Sequence, residues 1–513
     1  MNPSTAAERR AEGRARRARR ARSPAADARL RARRAIPYVD LFGDEAVERV
    51  EAQADRLLER IGVEYRDDDR ALEIWREAGA EVVGTRVRHS ARAVRELCAK
   101  APSEFVQHAR NPVRSVRIGG PEAVFAPVYG PPFVRCLDGG RRYGTIEDFR
   151  RLVRLTHALP SLHHSGGTTC EPCDLPVNKR HLDMVHAHLT LTDKPFLGSI
   201  TAMERAEDSI EMARLAFGAK RMETDCTIMG NVNVNSPLVF DRVASEAIRA
   251  YCGANQGIVI VPFVLGGAMG PVTTAGAVAQ ALAEAMSGVA FAQLVRPGAP
   301  VVLGNFLSSM SLRSGAPTFG MPEAALSSYL VGQLARRLAL PLRCGGSLTA
   351  SKLCDAQAAY ESADSMNATA LAGAHFVLHA AGWLESGLVT GYEKLVLDAD
   401  RLAALHVLLA GVATDDNALG VDAYADVEPG GHFLGGAHTM ANYESAYFDA
   451  ALSDSESFES WTERGSKDAA ARANARWKRL LDEHEPPPLD PGVAEALDDF
   501  VARRKAASPD AWH

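Results

Sequence analysis

The chain has 513 residues, 46% of them hydrophobic and 24% charged, with a formal net charge of −6. That balance excludes a fibrous, collagen-like or mostly unfolded chain, and the length allows two or three domains or one large barrel with extensions. The longest apolar stretch, residues 258–269, is broken by Pro262 and falls short of the roughly 20 residues a spanning helix needs, so no membrane span is expected.

Charge is unevenly spread. Residues 1–35 hold 12 Arg against Glu8, Glu12 and Asp27, a balance of +9 that leaves −15 on residues 36–513. A segment of Arg and Ala buries too little surface to offset its ordering entropy, so 1–35 is expected to be a disordered tail. Such a tail suits RNA or an acidic partner, whereas the acidic remainder has no general affinity for nucleic acid. Eight Cys are scattered along the chain behind no apolar leader, which predicts free thiols and a reducing, cytoplasmic setting.

Ordered structure is expected from Pro37. Val47, Val50, Ala54, Leu57, Leu58 and Ile61 recur at helical spacing between Asp44-Glu45 and Gly62. Residues 114–119 and 123–128 look like a hairpin turning at Gly119-Gly120-Pro121. Residues 36–125 are thus expected to form an N-terminal α+β region. Thr145-Ile146-Glu147-Asp148 has the form of a capping box. Apolar strand-like runs then recur near residues 162, 195, 226, 258, 300, 340 and 375. Ala-rich helical stretches separate them at 203–218, 239–253, 273–295, 322–338 and 355–373. A weaker eighth strand is expected at 387–392. This rhythm predicts a parallel sheet closed as a (β/α)₈ TIM barrel over residues 126–415. Residues 416–513 then form a C-terminal helical extension, against the barrel or a neighbouring subunit.

Nearly every strand run ends in Gly beside a polar residue, as in Gly230-Asn231, Gly304-Asn305 and Gly345-Gly346-Ser347. Barrel sites are built on the C-terminal ends of the strands. The polar tips are therefore site candidates, with His379 at the end of the seventh strand. Cys170-Glu171-Pro172-Cys173 lacks the second pair that a structural zinc site uses. His181, His186 and His188 are expected to make local ion pairs. Gly266-Gly267-Ala268-Met269-Gly270-Pro271 lacks a Walker lysine. Glu284, in an apolar helix, needs a buried partner.

Several motifs resemble the trimethylamine methyltransferase family, in its form without pyrrolysine. They include Tyr129-Gly130-Pro131-Pro132-Phe133, Asn235-Ser236-Pro237-Leu238, Gly267-Ala268-Met269-Gly270-Pro271-Val272 and Ser314-Gly315-Ala316-Pro317-Thr318-Phe319-Gly320. His379-Ala380-Ala381-Gly382-Trp383-Leu384-Glu385 and Gly431-His432-Phe433-Leu434-Gly435 with His438-Thr439 extend the likeness to about residues 37–505. The resemblance implies a (β/α)₈ barrel that moves a methyl group from an amine to the Co(I) of a corrinoid (cobalamin) carried by a separate protein, with no cofactor or metal tightly bound. Archaeal members acting on trimethylamine carry pyrrolysine in the loop after the sixth strand. Residues 345–352 here are all standard, so the resemblance points to quaternary amines such as glycine betaine.

A cationic substrate wants aromatic faces, and its carboxylate wants donors. Candidate catalytic residues are His379, Asn305 and Tyr360. Candidate binding residues are Tyr129, Phe133, Asn231, Asn233, Phe306, Phe319, Arg343, Trp383 and His432, with Arg313 a further donor. A homo-oligomer is expected. Open alternatives are methyl transfer to a folate, a barrel lyase or aldolase using Lys352, and a non-catalytic betaine-binding barrel.

Overall fold

The computed structural model describes residues 31–512. Its strands of interest are β1 (Ala32–Arg33), β2 (Glu122–Phe125), β3 (Met229–Val234), β4 (Gly257–Gly266), β5 (Val301–Gly304), β6 (Phe306–Ser309), β7 (Leu342–Gly345) and β8 (Phe376–Leu378). The helices are α1 (Asp44–Arg56), α2 (Ile146–Ala158), α3 (Arg180–Leu191), α4 (Met203–Phe217), α5 (Arg242–Gly253) and α6 (Thr274–Val295). There follow α7 (Pro322–Arg337), α8 (Ala356–Ala372), α9 (Tyr392–Ala410), α10 (Ala469–Asp482) and α11 (Pro491–Ala506).

The result is a mixed α/β fold around a curled half-barrel sheet. Its parallel strands lie in the order β2-β8-β7-β5-β4-β3, with β6 continuing the pairing along β4. In register, Val124 pairs with Phe376, Leu303 with Leu342, and Asn231 with Val259. Along each strand, alternate residues point to opposite faces. Val124, Val259, Val261, Val302, Phe376 and Leu378 fill the concave side. Phe125, Ile258, Ile260, Val301 and Val377 meet the helices.

Two segments lacking ladder geometry lie between the ends of this sheet. His163 N donates to Phe125 O (3.0 Å), and Ser165 N to Pro195 O (2.8 Å). Leu197 N donates to Gly166 O (2.7 Å), and Gly198 N to Met229 O (2.9 Å).

The helices fit their sequence signals. Thr145 and Asp148 form a reciprocal capping box at the start of α2. Helix α6 is apolar nearly all round and long enough to cross a membrane, but 89% of its most apolar window is buried inside the protein. Its one carboxylate, Glu284, accepts from Ser236 Oγ (2.6 Å), Leu238 N (2.8 Å) and Gln280 Nε2 (2.9 Å), the buried partnership its position requires.

Three expectations are corrected. The 114–119/123–128 hairpin does not form: Val116–Gly119 pairs with Glu104–Gln107. Strand β2 instead joins β8, some 250 residues away. The expected eighth strand, 387–392, contributes Val389–Gly391 to a separate sheet with Phe133–Cys136, Gly140–Tyr143 and Trp383–Leu384. The expected disordered tail falls on residues 1–30, outside the described residues, except at its end. There β1 pairs antiparallel with β2 and Ala32 is 1% exposed.

The C-terminal helices dock on the body. Helix α10 lies along α9, with Trp477 Nε1 donating to Glu393 (2.9 Å). Helix α11 is held by Arg504–Asp208 (2.6 Å) and Lys505–Asp183 (2.6 Å).

Candidate active site

Strand β7 turns Leu342 and Cys344 toward the helices and therefore Arg343 toward the concave side. Arg343 is 1% exposed. Its guanidinium lies 4.8 Å from the Phe306 ring centroid, and Nη1 donates to Asn305 O at 3.0 Å. Nε is buried without a hydrogen-bond partner. Among the described residues no carboxylate lies within ion-pair distance of it. Burial lowers its pKa to about 10, so it stays charged at neutral pH. A buried cation with donors to spare is the arrangement that an anionic ligand group completes.

Above it lies an aromatic cluster. The Phe306 and Phe319 rings stack at 5.2 Å, and Phe263 meets Phe306 at 5.3 Å. Trp383 stands edge-on to Phe306 (5.8 Å) and Phe319 (5.2 Å). Val128 and Leu348 close the group. Phe319 and Trp383 are buried, while Phe263 and Phe306 are half-buried and Asn233 beyond them is exposed. The rings thus pack as one cluster that runs from the half-buried Phe263 and Phe306 to the buried Phe319 and Trp383, with Arg343 against Phe306.

His379 joins the two parts. Its ring stacks on Phe306 at 5.0 Å and meets Trp383 at 4.5 Å. It adopts a left-handed φ of 62°, unusual for a non-glycine residue and typical of functional positions. Tyr129 N donates to its Nδ1 (3.2 Å), so the neutral ring carries its proton on Nε2. Burial, reinforced by the Arg343 charge, holds the imidazole pKa well below its ordinary value. His379 is therefore a neutral hydrogen-bond donor. Burial also pushes the Tyr129 phenol up to about 12, with the Glu171 charge adding to the effect.

The loop after β7 is braced from below. The Glu361 carboxylate accepts from Thr349 Oγ1 (2.5 Å) and Ala350 N (2.8 Å) through one oxygen and from Gln357 Nε2 (2.9 Å) through the other. The Thr349 carbonyl then accepts from Trp383 Nε1 (3.1 Å). Gly320 and Gly387 make room for this brace. A Cβ on Gly320 would stand 2.5 Å from Glu361 Cβ, and one on Gly387 2.5 Å from the Trp383 ring; both have φ near +95°.

The structure thus gathers Arg343, Phe306, Phe319, Trp383, His379 and Tyr129. Asn231 shares the concave face, with a buried Oδ1 that has no partner, and Asn233 lies farther out on the same face. Others fall elsewhere. Asn305 turns outward, its Nδ2 donating to Ser327 Oγ on α7 (3.2 Å). Tyr360 is 72% exposed on α8. Phe133 lies in the separate sheet under the Arg141 guanidinium (3.6 Å). His432 and Arg313 are exposed. Glu361 follows the sixth predicted strand, beside Tyr360, as the sequence places it; Phe263 was not among the candidates, and two-residue alternation within β4, counted from inward Val261, points to it.

Among the described residues no three His, Cys, Asp or Glu are arranged to hold a metal. Cys170 and Cys173 are free, one buried and one exposed. The three α3 histidines diverge. His181 meets Asp208 (3.0 Å) and His186 meets Asp498 (2.8 Å), while His188 spans Ser165 Oγ (2.8 Å) and Gly167 O (2.8 Å).

The glycine betaine methyltransferase of Desulfitobacterium hafniense (strain Y51) is 37% identical over 470 residues, covering 91% of this chain and 98% of that protein. Trimethylamine methyltransferase MttB of D. hafniense (strain DSM 10664 / DCB-2) is 27% identical over 466 residues, covering 90% and 93%. The crystal structure of Methanosarcina barkeri monomethylamine methyltransferase (MtmB) aligns with a TM-score of 0.47 at 12% identity, covering 87% of this chain and 95% of that one. The model of the trimethylamine methyltransferase (MTTB) family matches residues 9–509, and the chain belongs to that family.

Proposed function

We propose that the protein takes a methyl group from a quaternary amine bearing a carboxylate, of the glycine betaine class, and passes it to the Co(I) of a corrinoid held by a separate protein. The observation that carries the substrate class is Arg343: a buried guanidinium with no carboxylate partner among the described residues, next to the neutral donor His379 and against the Phe306 ring. Arg343 and His379 would hold the carboxylate. Phe306, Phe319, Trp383 and Phe263 would face the trimethylammonium, each favourable cation–π contact contributing about 0.5–2 kcal/mol.

The chemistry asks little of acid–base groups. A quaternary nitrogen leaves as a neutral amine, so no residue need protonate it, and a neutral His379 is compatible with that. The corrinoid is a second substrate that supplies the nucleophile, in line with the C–N bond. The enzyme's task is then to orient the amine and keep water out. Charge falls as the transition state forms, which a water-poor aromatic wall favours.

The same reading completes the barrel. The backbone bonds through residues 162–166 and 195–198 support a ring of eight staves closed between β2 and β3, that is a (β/α)₈ barrel with the site at its C-terminal mouth. In this reading the barrel begins at β2, before residue 126, and 416–513 is an extension. No resident cofactor and a cytoplasmic setting accompany it.

The test is to mix purified protein with reduced free cobalamin and glycine betaine and follow methylcobalamin absorbance. Methylcobalamin is expected. Betaine binding with no absorbance change would favour a binding protein. The Arg343→Met variant should lose about 2–5 kcal/mol of betaine affinity while keeping its affinity for tetramethylammonium, which has no carboxylate. Equal losses for both ligands would remove Arg343 from the carboxylate site.

A further inference from the structure

We infer that residues 412–450 form an arm that docks on a second copy of this chain, in the groove between its α1, α6 and α7. The arm leaves α9 after Gly411. It returns where the Asp400 carboxylate accepts from Ala451 N (2.8 Å) and Leu452 N (3.2 Å). Between these anchors it has structure of its own. The Asn417 and Asn442 side-chain amides pair at 3.0 and 3.1 Å, His438 Nε2 donates to Asn417 O at 2.7 Å, and Tyr424 meets Phe433 edge-on at 5.3 Å.

Yet its apolar side chains face outward. Tyr447 is 89% exposed, Leu434 79%, Tyr424 70% and Met440 59%. With its other exposed large residues, the arm presents on the order of 1,000 Å² of apolar surface, more than the roughly 800 Å² that each partner buries in a standard interface. A braced segment with its apolar groups turned out is built to meet another surface.

Charge selects the occupant. Residues 412–450 contain seven Asp or Glu and no Lys or Arg, so two arms repel one another. The groove is complementary. Phe42, Val50, Gly276 and Leu330 are among its lining residues, together with Arg49 and Arg56. Both arginines are exposed. Arg56 donates to Gln53 (2.7 Å), and among the described residues neither pairs with a carboxylate.

The arm's own groove is distant. Residues 35–42 run from α9 across α8 to α7, through Ala35 N–Leu409 O (2.7 Å), Val39 N–Leu371 O (3.1 Å) and Phe42 N–Gln333 Oε1 (3.1 Å). Helix α8 therefore lies between the arm's root on α9 and the groove of the same chain. Reciprocal arm-to-groove exchange between two copies is two-fold symmetric and closes without leaving a free end.

Sedimentation velocity on the full chain tests this. The unmodified protein should sediment as a dimer or a multiple of one. Leu434→Asp with Tyr447→Asp, on the arm, should lower the mass, as should Arg49→Glu with Arg56→Glu, in the groove. Both variants should keep the far-UV circular dichroism spectrum of the parent, which shows that each still folds. Mixed in equal amounts they should regain dimers, because each such pair retains one intact arm and one intact groove. A monomeric parent, a variant that keeps the parent's mass, or a mixture that does not associate would overturn the inference. So would dissociation on deleting residues 1–30 with both variants still dimeric, which would assign the acidic arm to the Arg-rich segment instead.

Discussion

At the scale of single residues, Arg343 is a cost to the fold. A guanidinium buried at 1% exposure, with one backbone acceptor and an unpaired Nε, has lost water without gaining a counter-charge. Replacing it by an apolar residue of similar length removes that cost. Arg343→Met should therefore raise the melting temperature in the absence of ligand by an amount equivalent to about 1–3 kcal/mol, while abolishing betaine turnover. Calorimetry on the two proteins checks this, and a less stable Arg343→Met would mean that the arginine supports the fold. His379 differs because its left-handed backbone is tolerated by few residues. His379→Asn, which adopts that conformation readily, should keep the melting temperature and lose turnover, whereas His379→Leu should lose both. Equal melting temperatures for the two variants would show that φ = 62° carries no strain.

At the scale of elements, helix α8 holds the loop after β7 through one carboxylate. Glu361 fixes Thr349, and Thr349 fixes the Trp383 indole, so Glu361 is a positioning residue. Glu361→Ala should raise KM more than it lowers kcat and red-shift tryptophan emission as Trp383 gains water; Glu361→Gln, which still accepts from Thr349, should recover most of the KM. An unchanged emission spectrum would separate the brace from the indole. Much at this scale was legible in sequence. The stretch 203–218 becomes Met203–Phe217 and 273–295 becomes Thr274–Val295, because a long run of Ala and other helix formers is a local signal. Pairing was not legible where the partner is remote: β2 has the same residues whether it turns back on Val116–Gly119 or crosses to β8, and only the assembly of the parallel sheet decides. The site was half legible for a related reason. A polar strand tip was taken to face inward, but alternation from inward Val302 points Asn305 outward, toward Ser327. Tyr360 precedes buried Glu361 and sits off the face of α8 that carries Ser365 and Thr369 inward. His432 has no periodic context at all.

Across the whole molecule, the buried histidines make the fold sensitive to acid. His163, His164 and His379 are held well below the ordinary 6.5, and His188 and His375 are lowered to about 4, burial being the leading cause in each. His163 also stacks on His406 at 4.9 Å, so protonating one opposes protonating the other. The folded protein keeps these rings neutral, while the unfolded chain binds protons near pH 6.5. The unfolded state therefore holds more protons below that value, and stability rises with pH through this range and levels off above it. For His188 alone the fall from 6.5 to about 4 amounts to about 3 kcal/mol by the lower pH, a large part of the usual margin of 5–15 kcal/mol. The melting temperature should be flat above about pH 7 and drop steeply between about pH 6 and 4, measured by scanning calorimetry across a buffer series. His188→Gln keeps hydrogen-bonding capacity toward Ser165 and Gly167 but cannot ionise, so its descent should be shallower than the parent's and its activity at neutral pH unchanged. A parallel descent would remove His188 from the acid sensitivity and leave it to the other buried histidines and to the carboxylates of the ion pairs.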